Sequence, residues 1–233
     1  MTKTRHPATP SHAVSLAPLI DHTLLKPDAT RRDVELLCDE ARACGFAAVC
    51  VNPCWVPLAA RRLSGTPVRV ASVVAFPLGA LSPHSKAREA RELRQEGADE
   101  IDMVLNIGAL KSGDDALVRR EIEGVVRAVR TVVKVILETC ALGRAEKIRA
   151  CRLSKAAGAH FVKTSTGFGA AGATVEDVRL MRRAVGAAMG VKAAGGIRDA
   201  RTARAMVQAG ATRIGTSAGV SIVTEKRGES SGY

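Results

Sequence analysis

The chain has 233 residues, 46% of them hydrophobic, so burial is ample for one large core. Aromatic residues make up only 3%, which implies an aliphatic core and argues against an aromatic stacking surface for nucleic acid. The formal net charge of +12 would suit an anionic partner, but Arg88, Arg91 and Arg94 recur at helical spacing among glutamates, the pattern of a solvated helix face rather than a basic block.

Residues 1–14 are polar and carry prolines, and are expected to form a poorly ordered leader. From there a pattern repeats: a short β-branched apolar run, a few turn residues, a longer amphipathic stretch. Strands are predicted near 18–22, 46–51, 68–75, 99–105, 132–138, 159–164, 191–194 and 212–216. Helices are predicted near 30–44, 54–63, 83–96, 114–130, 144–157, 174–188 and 199–209, with a short one after Ser217. Gly45, Gly97, Gly158 and Gly210 each follow an amphipathic run and precede a strand, where a left-handed residue ends a helix cheaply. Alternating strands and helices imply parallel pairing through right-handed crossovers. Eight such units in one chain fit a single α/β (β/α)8 TIM barrel over 15–223, with a flexible tail over 224–233. An open doubly wound sheet would want a G-x-G-x-x-G turn after the first strand, and none stands there.

In such a barrel the chemistry lies at the carboxyl ends of the strands. Strand 4 reads Asp99-Glu100-Ile101-Asp102-Met103-Val104-Leu105-Asn106. Alternation sends Ile101, Met103 and Leu105 towards the helices and turns Asp102 into the barrel, where a carboxylate is costly unless paired. Strand 6 ends in Lys163 and strand 7 carries Lys192. A free lysine is neutral in only about 1 molecule in 2,500 at pH 7. A second ammonium ~6 Å away, at an effective dielectric of ~20, would depress one amine by about two pKa units. Such a pair can make a nucleophilic amine for Schiff-base chemistry, with Asp102 keeping the partner cationic. The alternative is a lysine that holds phosphate as a point charge. Lys134, at the start of strand 5, is expected at the opposite rim with no role.

Glycines mark the turns after strands 6, 7 and 8: Gly167, Gly195-Gly196, and Gly215-Thr216-Ser217. Small residues there let backbone N–H groups approach a phosphate, and Ser217 can open the last helix. Asp21 and Thr23 end strand 1 and could bond polar groups inside the barrel; Cys50 on strand 2 reads as core, or else as a thiol reaching the site. The six cysteines form no C-x-x-C pair, and there is neither a secretory signal nor an apolar run of ~18 residues, so the reading is cytoplasmic, with reduced thiols and no membrane. His22, His84 and His160 are isolated, so no metal is expected.

Four segments together resemble 2-deoxyribose-5-phosphate aldolases: Asp21-His22-Thr23-Leu24-Leu25-Lys26-Pro27, Glu100-Ile101-Asp102-Met103-Val104, Val162-Lys163-Thr164-Ser165-Thr166-Gly167-Phe168 and Val191-Lys192-Ala193-Ala194-Gly195-Gly196-Ile197-Arg198. The resemblance implies a class I aldolase without cofactor or metal, cleaving 2-deoxy-D-ribose 5-phosphate reversibly to D-glyceraldehyde 3-phosphate and acetaldehyde in deoxyribonucleoside catabolism. By position it implies Lys163 as the imine-forming residue, Lys192 as the lysine that perturbs it, and Asp102 as the proton carrier acting with water. Phosphate would meet the backbone near Gly167, Gly195, Gly196 and Ser217, and the protein would be a homodimer or homotetramer with no nucleic-acid partner. Where some relatives carry two serines after strand 8, Ser217 is followed here by Ala218. Tyr233, the only tyrosine, ends the chain as some relatives do and could donate a proton to the enamine carbon, against the reading of an unstructured end. An aldolase for another phosphorylated sugar, or a phosphosugar- or nucleic-acid-binding protein without catalysis, are the alternatives.

Overall fold

The structure, a computed structural model, describes residues 15–224. The leader expected over 1–14 and all of the expected tail except Thr224, Tyr233 included, lie outside the described residues.

Eight parallel strands close into a barrel in sequence order. They are β1 (Ile20–Leu24), β2 (Ala48–Val51), β3 (Arg69–Val74), β4 (Glu100–Val104), β5 (Val132–Ile136), β6 (Phe161–Lys163), β7 (Gly190–Ala194) and β8 (Arg213–Thr216). The ring shuts where β8 pairs with β1, Ile214 opposite Ile20 and Gly215 opposite Asp21. The outer helices are α1 (Arg31–Cys44), α2 (Val56–Leu63), α3 (Pro83–Gln95), α4 (Ile107–Lys111), α5 (Asp115–Val129), α6 (Arg144–Ala156), α7 (Val175–Val185), α8 (Ala200–Gln208) and α9 (Gly219–Thr224).

Helix α1 illustrates the local logic. Thr30 caps it by accepting from the Asp33 amide, and Asp33 answers through the Thr30 amide, a reciprocal capping box. Val34, Leu37, Cys38 and Ala41 recur at three- and four-residue steps and are buried against the sheet. Full burial of side chains like Val34 and Leu37 is worth about 1.5–3 kcal/mol each. Gly45, at φ 67°, ends the helix in the left-handed region.

Two sequence expectations shift. Strand 1 begins at Ile20 rather than 18, because Pro18 starts a 3-10 turn over Ala17–Leu19 and has no N–H for the ladder. Helix α4, not expected, is short and contains Gly108; it forms because the Asn106 side chain caps the Ala109 amide at 3.0 Å.

The aliphatic core lies between strands and helices, and includes Ile101, Met103 and Leu105 of the fourth unit as alternation requires. The barrel interior is divided. On β2 and β3 it is small and apolar, built by Ala48, Cys50, Ala71 and Val73 beneath Leu25 and Phe76. On β4–β8, and at Asp21 of β1, it is charged.

Candidate active site

Strand register sets the charged half. Asp102 on β4 stands level with Lys134 on β5, Lys163 on β6 level with Lys192 on β7, and Lys192 in turn level with Arg213 on β8. The three lysine side chains converge on Asp102, which has no exposed surface. Its Oδ1 lies 2.7 Å from Lys134 Nζ; its Oδ2 lies 2.9 Å from Lys163 Nζ and 2.8 Å from Lys192 Nζ. Burial pushes the Asp102 carboxyl up, but Lys134, Lys163 and Lys192 outweigh it and hold the carboxyl well below the usual carboxylate range.

Asp21 completes the arrangement from β1. Its Oδ2 accepts from Lys192 Nζ, and its Oδ1 accepts from Arg213 at 2.6 Å. Burial works against its ionisation too, and Lys192, Lys134 and Arg213 reverse that and lower its pKa. Lys192 thus has two carboxylate partners. Burial alone would lower its pKa; Asp102 and Asp21 raise it above the ordinary lysine value, so Lys192 stays an ammonium at neutral pH. The expectation that Asp21 bonds polar groups inside the barrel holds. Thr23 is placed otherwise: its hydroxyl donates to the Asp21 carbonyl at 2.8 Å, and the residue lines the cleft above.

Lys134 corrects the sequence reading. It is not at the opposite rim but fully buried, with Nζ 2.6 Å from Glu100 Oε2, 2.7 Å from Asp102 Oδ1 and 3.7 Å from Asp21 Oδ2. Strand β5 runs only over Val132–Ile136, so Lys134 is its middle residue and stands level with Asp102, the middle residue of β4. Glu100 and Arg213 were likewise not singled out. Arg213 bonds both Asp21 and Glu100 and lies over the Phe161 ring at 5.5 Å, closing the interior from below. A lysine or arginine on the inward phase of a strand, as Lys134 is in Val132-Val133-Lys134-Val135-Ile136, was the signal available.

Lys163 differs from its neighbours. It has one carboxylate contact, to Asp102, and it alone of the three interior lysines lines the cleft at the carboxyl end of the barrel. On forming a covalent bond it gives up the fewest ion pairs. The cleft is open to solvent and spans about 710 Å³ counted to its mouth. Gly167, Gly195, Gly196 and Ser217 line it together with Arg198, an exposed cation not foreseen from sequence. Gly195 and Gly196 both have positive φ, 89° and 76°, which only glycine adopts freely in succession. The backbone amides of Gly167, Gly195, Gly196 and Ser217 have no protein acceptor among the described residues, whereas the Ala218 amide is taken by Thr216 Oγ1 at 3.0 Å. Four free donors on three adjacent turns make an anion cradle.

Cys50 belongs to the wall. It is fully buried in the apolar half of the interior, and burial pushes its thiol pKa up. Among the described residues no group of three or more His, Cys, Asp and Glu is placed to hold a metal ion, and no helix is long and apolar enough to cross a membrane.

A family model described as DeoC/LacD family aldolase matches residues 15–225, the whole barrel. The chain belongs to this aldolase family. A deoxyribose-phosphate aldolase of Thermoanaerobacter sp. (strain X514) is 59% identical over 216 residues, covering 91% of this chain and 97% of that protein. A deoxyribose-phosphate aldolase of Thermococcus gammatolerans is 59% identical over 219 residues, covering 92% and 97%. Among solved structures, the tetrameric deoxyribose phosphate aldolase from Aeropyrum pernix superposes with a TM-score of 0.84 at 36% identity, covering 90% of each chain. Within this DeoC/LacD barrel, the strand-end lysine expected from sequence stands at the cleft, and the carboxylate and second lysine expected with it lie directly beneath.

Proposed function

We propose that the protein is a class I aldolase that reversibly cleaves 2-deoxy-D-ribose 5-phosphate to D-glyceraldehyde 3-phosphate and acetaldehyde. The observation that carries the reading is Lys163: an amine at the floor of an open cleft, with Asp102 2.9 Å behind it and four free backbone amides above it.

Lys163 attacks the C1 aldehyde of the open-chain sugar. The carbinolamine loses water and becomes a protonated imine, which draws electrons from the sugar chain. Asp102, acting through water beside the Lys192 ammonium, takes the proton of the C3 hydroxyl, and the C2–C3 bond breaks. Glyceraldehyde 3-phosphate leaves, the enamine takes a proton at carbon, and hydrolysis returns Lys163 and acetaldehyde. Proton transfer of this kind contributes roughly 10² to 10⁴ in rate. The phosphate is bound by the amides of Gly167, Gly195, Gly196 and Ser217, with Arg198 beside them. Residues of the apolar half, Leu25 and Phe76 among them, face the two-carbon end.

The reading extends to the setting. All six cysteines are free, which suits a reducing cytoplasm. A homodimer or homotetramer accords with the tetramer named for the Aeropyrum pernix relative. Arg88, Arg91 and Arg94 are exposed on α3 among glutamates, and no nucleic-acid partner is assigned to them.

Borohydride reduction in the presence of acetaldehyde tests the mechanism. A stable two-carbon adduct mapped to Lys163 is expected. An adduct on Lys192 would reverse the two lysine roles, and binding of the sugar phosphate with no adduct would replace catalysis by phosphate binding.

A further inference from the structure

Between the amides of Thr166, Gly167 and Phe168, only the middle one is free. Thr166 N–H donates to Glu138 Oε2 at 3.3 Å, and the Thr166 hydroxyl donates to the same oxygen. That hydroxyl oxygen then accepts the Phe168 N–H at 3.0 Å. Gly167, at φ 89°, lines the cleft, and its N–H has no protein acceptor among the described residues. One carboxylate therefore decides which amide of the turn remains for a ligand.

Glu138 is built for that position at some cost. It follows β5 with φ 53°, a left-handed conformation unfavourable for a residue with a Cβ. It is buried, and no cation pairs with it among the described residues; hydrogen bonds from the turn satisfy Oε2, and the Cys140 thiol donates to Oε1 at 3.6 Å. The turn closes over it: a Cβ on Gly169 would come within 3.0 Å of Glu138 Cδ. The neighbouring backbone is paired as well, Thr139 N–H to the Thr164 carbonyl at 2.9 Å. The same loop begins at Lys163, so Glu138 braces the segment joining the amine to the anion cradle.

We infer that Glu138 is a positioning residue for phosphate recognition: acting through Thr166, it holds the turn after β6 so that the Gly167 amide is aimed at the substrate phosphate. It touches no reacting atom. Its effect is preorganisation, since a donor fixed before binding needs no ordering when the anion arrives. The inference rests on the aldolase reading for the identity of the anion, but the geometry of the free amide does not.

The test compares Glu138→Ala, Glu138→Gln, Thr166→Val and Thr166→Ser on 2-deoxyribose 5-phosphate and on unphosphorylated 2-deoxyribose. With Glu138→Ala and Thr166→Val, kcat/KM for the phosphorylated sugar is expected to fall about 10- to 100-fold, mostly through KM. For the unphosphorylated sugar the fall should stay under about threefold, and Thr166→Ser should keep near-full activity on both. Equal losses on both sugars would mean general damage to the loop and would overturn the inference, as would no loss on either. A second measurement is independent of turnover: titration with inorganic phosphate, read at the ¹⁵N-labelled Gly167 amide, should shift that resonance in the parent protein and in Glu138→Gln, whose amide oxygen can still accept from Thr166, and not in Glu138→Ala or Thr166→Val. An unchanged response in Glu138→Ala and Thr166→Val overturns the inference. If Glu138→Ala does not fold, Thr166→Val carries the comparison. If the parent protein cleaves neither sugar while the phosphate response depends on Glu138, the aldolase reading falls and this assignment stands.

Discussion

Lys134 Nζ sits 2.7 Å from Asp102 Oδ1, on the opposite oxygen of the carboxylate that meets Lys163 and Lys192. Asp102 is thus divided: one oxygen is fixed to the barrel, the other faces the amines. Lys134→Met should unbalance both. Removing one partner of a buried ion pair typically costs about 3–5 kcal/mol, and here Asp102 Oδ1 and Glu100 Oε2 would each lose a buried cation. The expected result is a lower midpoint in urea unfolding together with a reduced kcat. A variant as stable as the parent would show that Lys134 contributes no net support.

Asp102→Asn retains shape and removes the charge that three ammonium groups share. Loss of proton transfer should lower kcat by roughly 10² to 10⁴. Imine trapping on Lys163 should persist at a slower rate, since the amine itself is intact. Wild-type kcat in this variant would remove Asp102 from the mechanism.

The interior network sets a pH window. Asp21 and Asp102 have folded pKa values below their unfolded value of about 3.9, so their contribution is complete above that value and is lost as pH falls through the folded values. Lys134 and Lys192 have folded values above the unfolded value of about 10.4, so theirs is complete below it and is lost as pH rises through the folded values. Glu121 and Lys86, buried together between α5 and α3 at 2.8 Å, run the other way: burial raises the acid and lowers the base. Thermal melts should therefore give a broad plateau between about pH 5 and 9 and a steep fall below about pH 4. A midpoint that declines steadily from pH 7 to 5 would contradict this account.

The thiols should divide by exposure. Cys54 and Cys140 are exposed, whereas burial pushes Cys38 up to about 11 and Cys151 up to about 12. Brief alkylation of the folded protein, mapped by peptide mass, should modify Cys54 and Cys140 and spare Cys38, Cys50 and Cys151. Labelling of Cys50 ahead of Cys140 would mean that the barrel wall opens to solvent.

Much of this was legible in the residues. Alternation in strand 4 was enough to turn Asp102 inward, and a lysine before hydroxyls and glycines was enough to put Lys163 at a strand mouth. The turn glycines marked the amides that the fold leaves unpaired. Lys134 was misplaced because β5 ends at Ile136, two residues before the expected 138, which makes a residue read as early in the strand its middle one, level with Asp102. Glu138 was missed because its role depends on a left-handed backbone at a residue that is not glycine, and on hydrogen bonds to main-chain atoms of a distant loop. Local sequence carries neither.

Asp21 has partners 171 and 192 residues further along, Lys192 and Arg213. A ribosome delivers the first strand long before either counter-charge exists. Until β7 and β8 emerge, burying Asp21 carries the cost of a carboxylate with two of its three cations missing, so early collapse of a partial barrel is penalised. The ion pairs beneath Lys163 thus double as a completeness check, under which a shortened chain, lacking its last two strands, is denied a quiet interior and left open to proteolytic disposal.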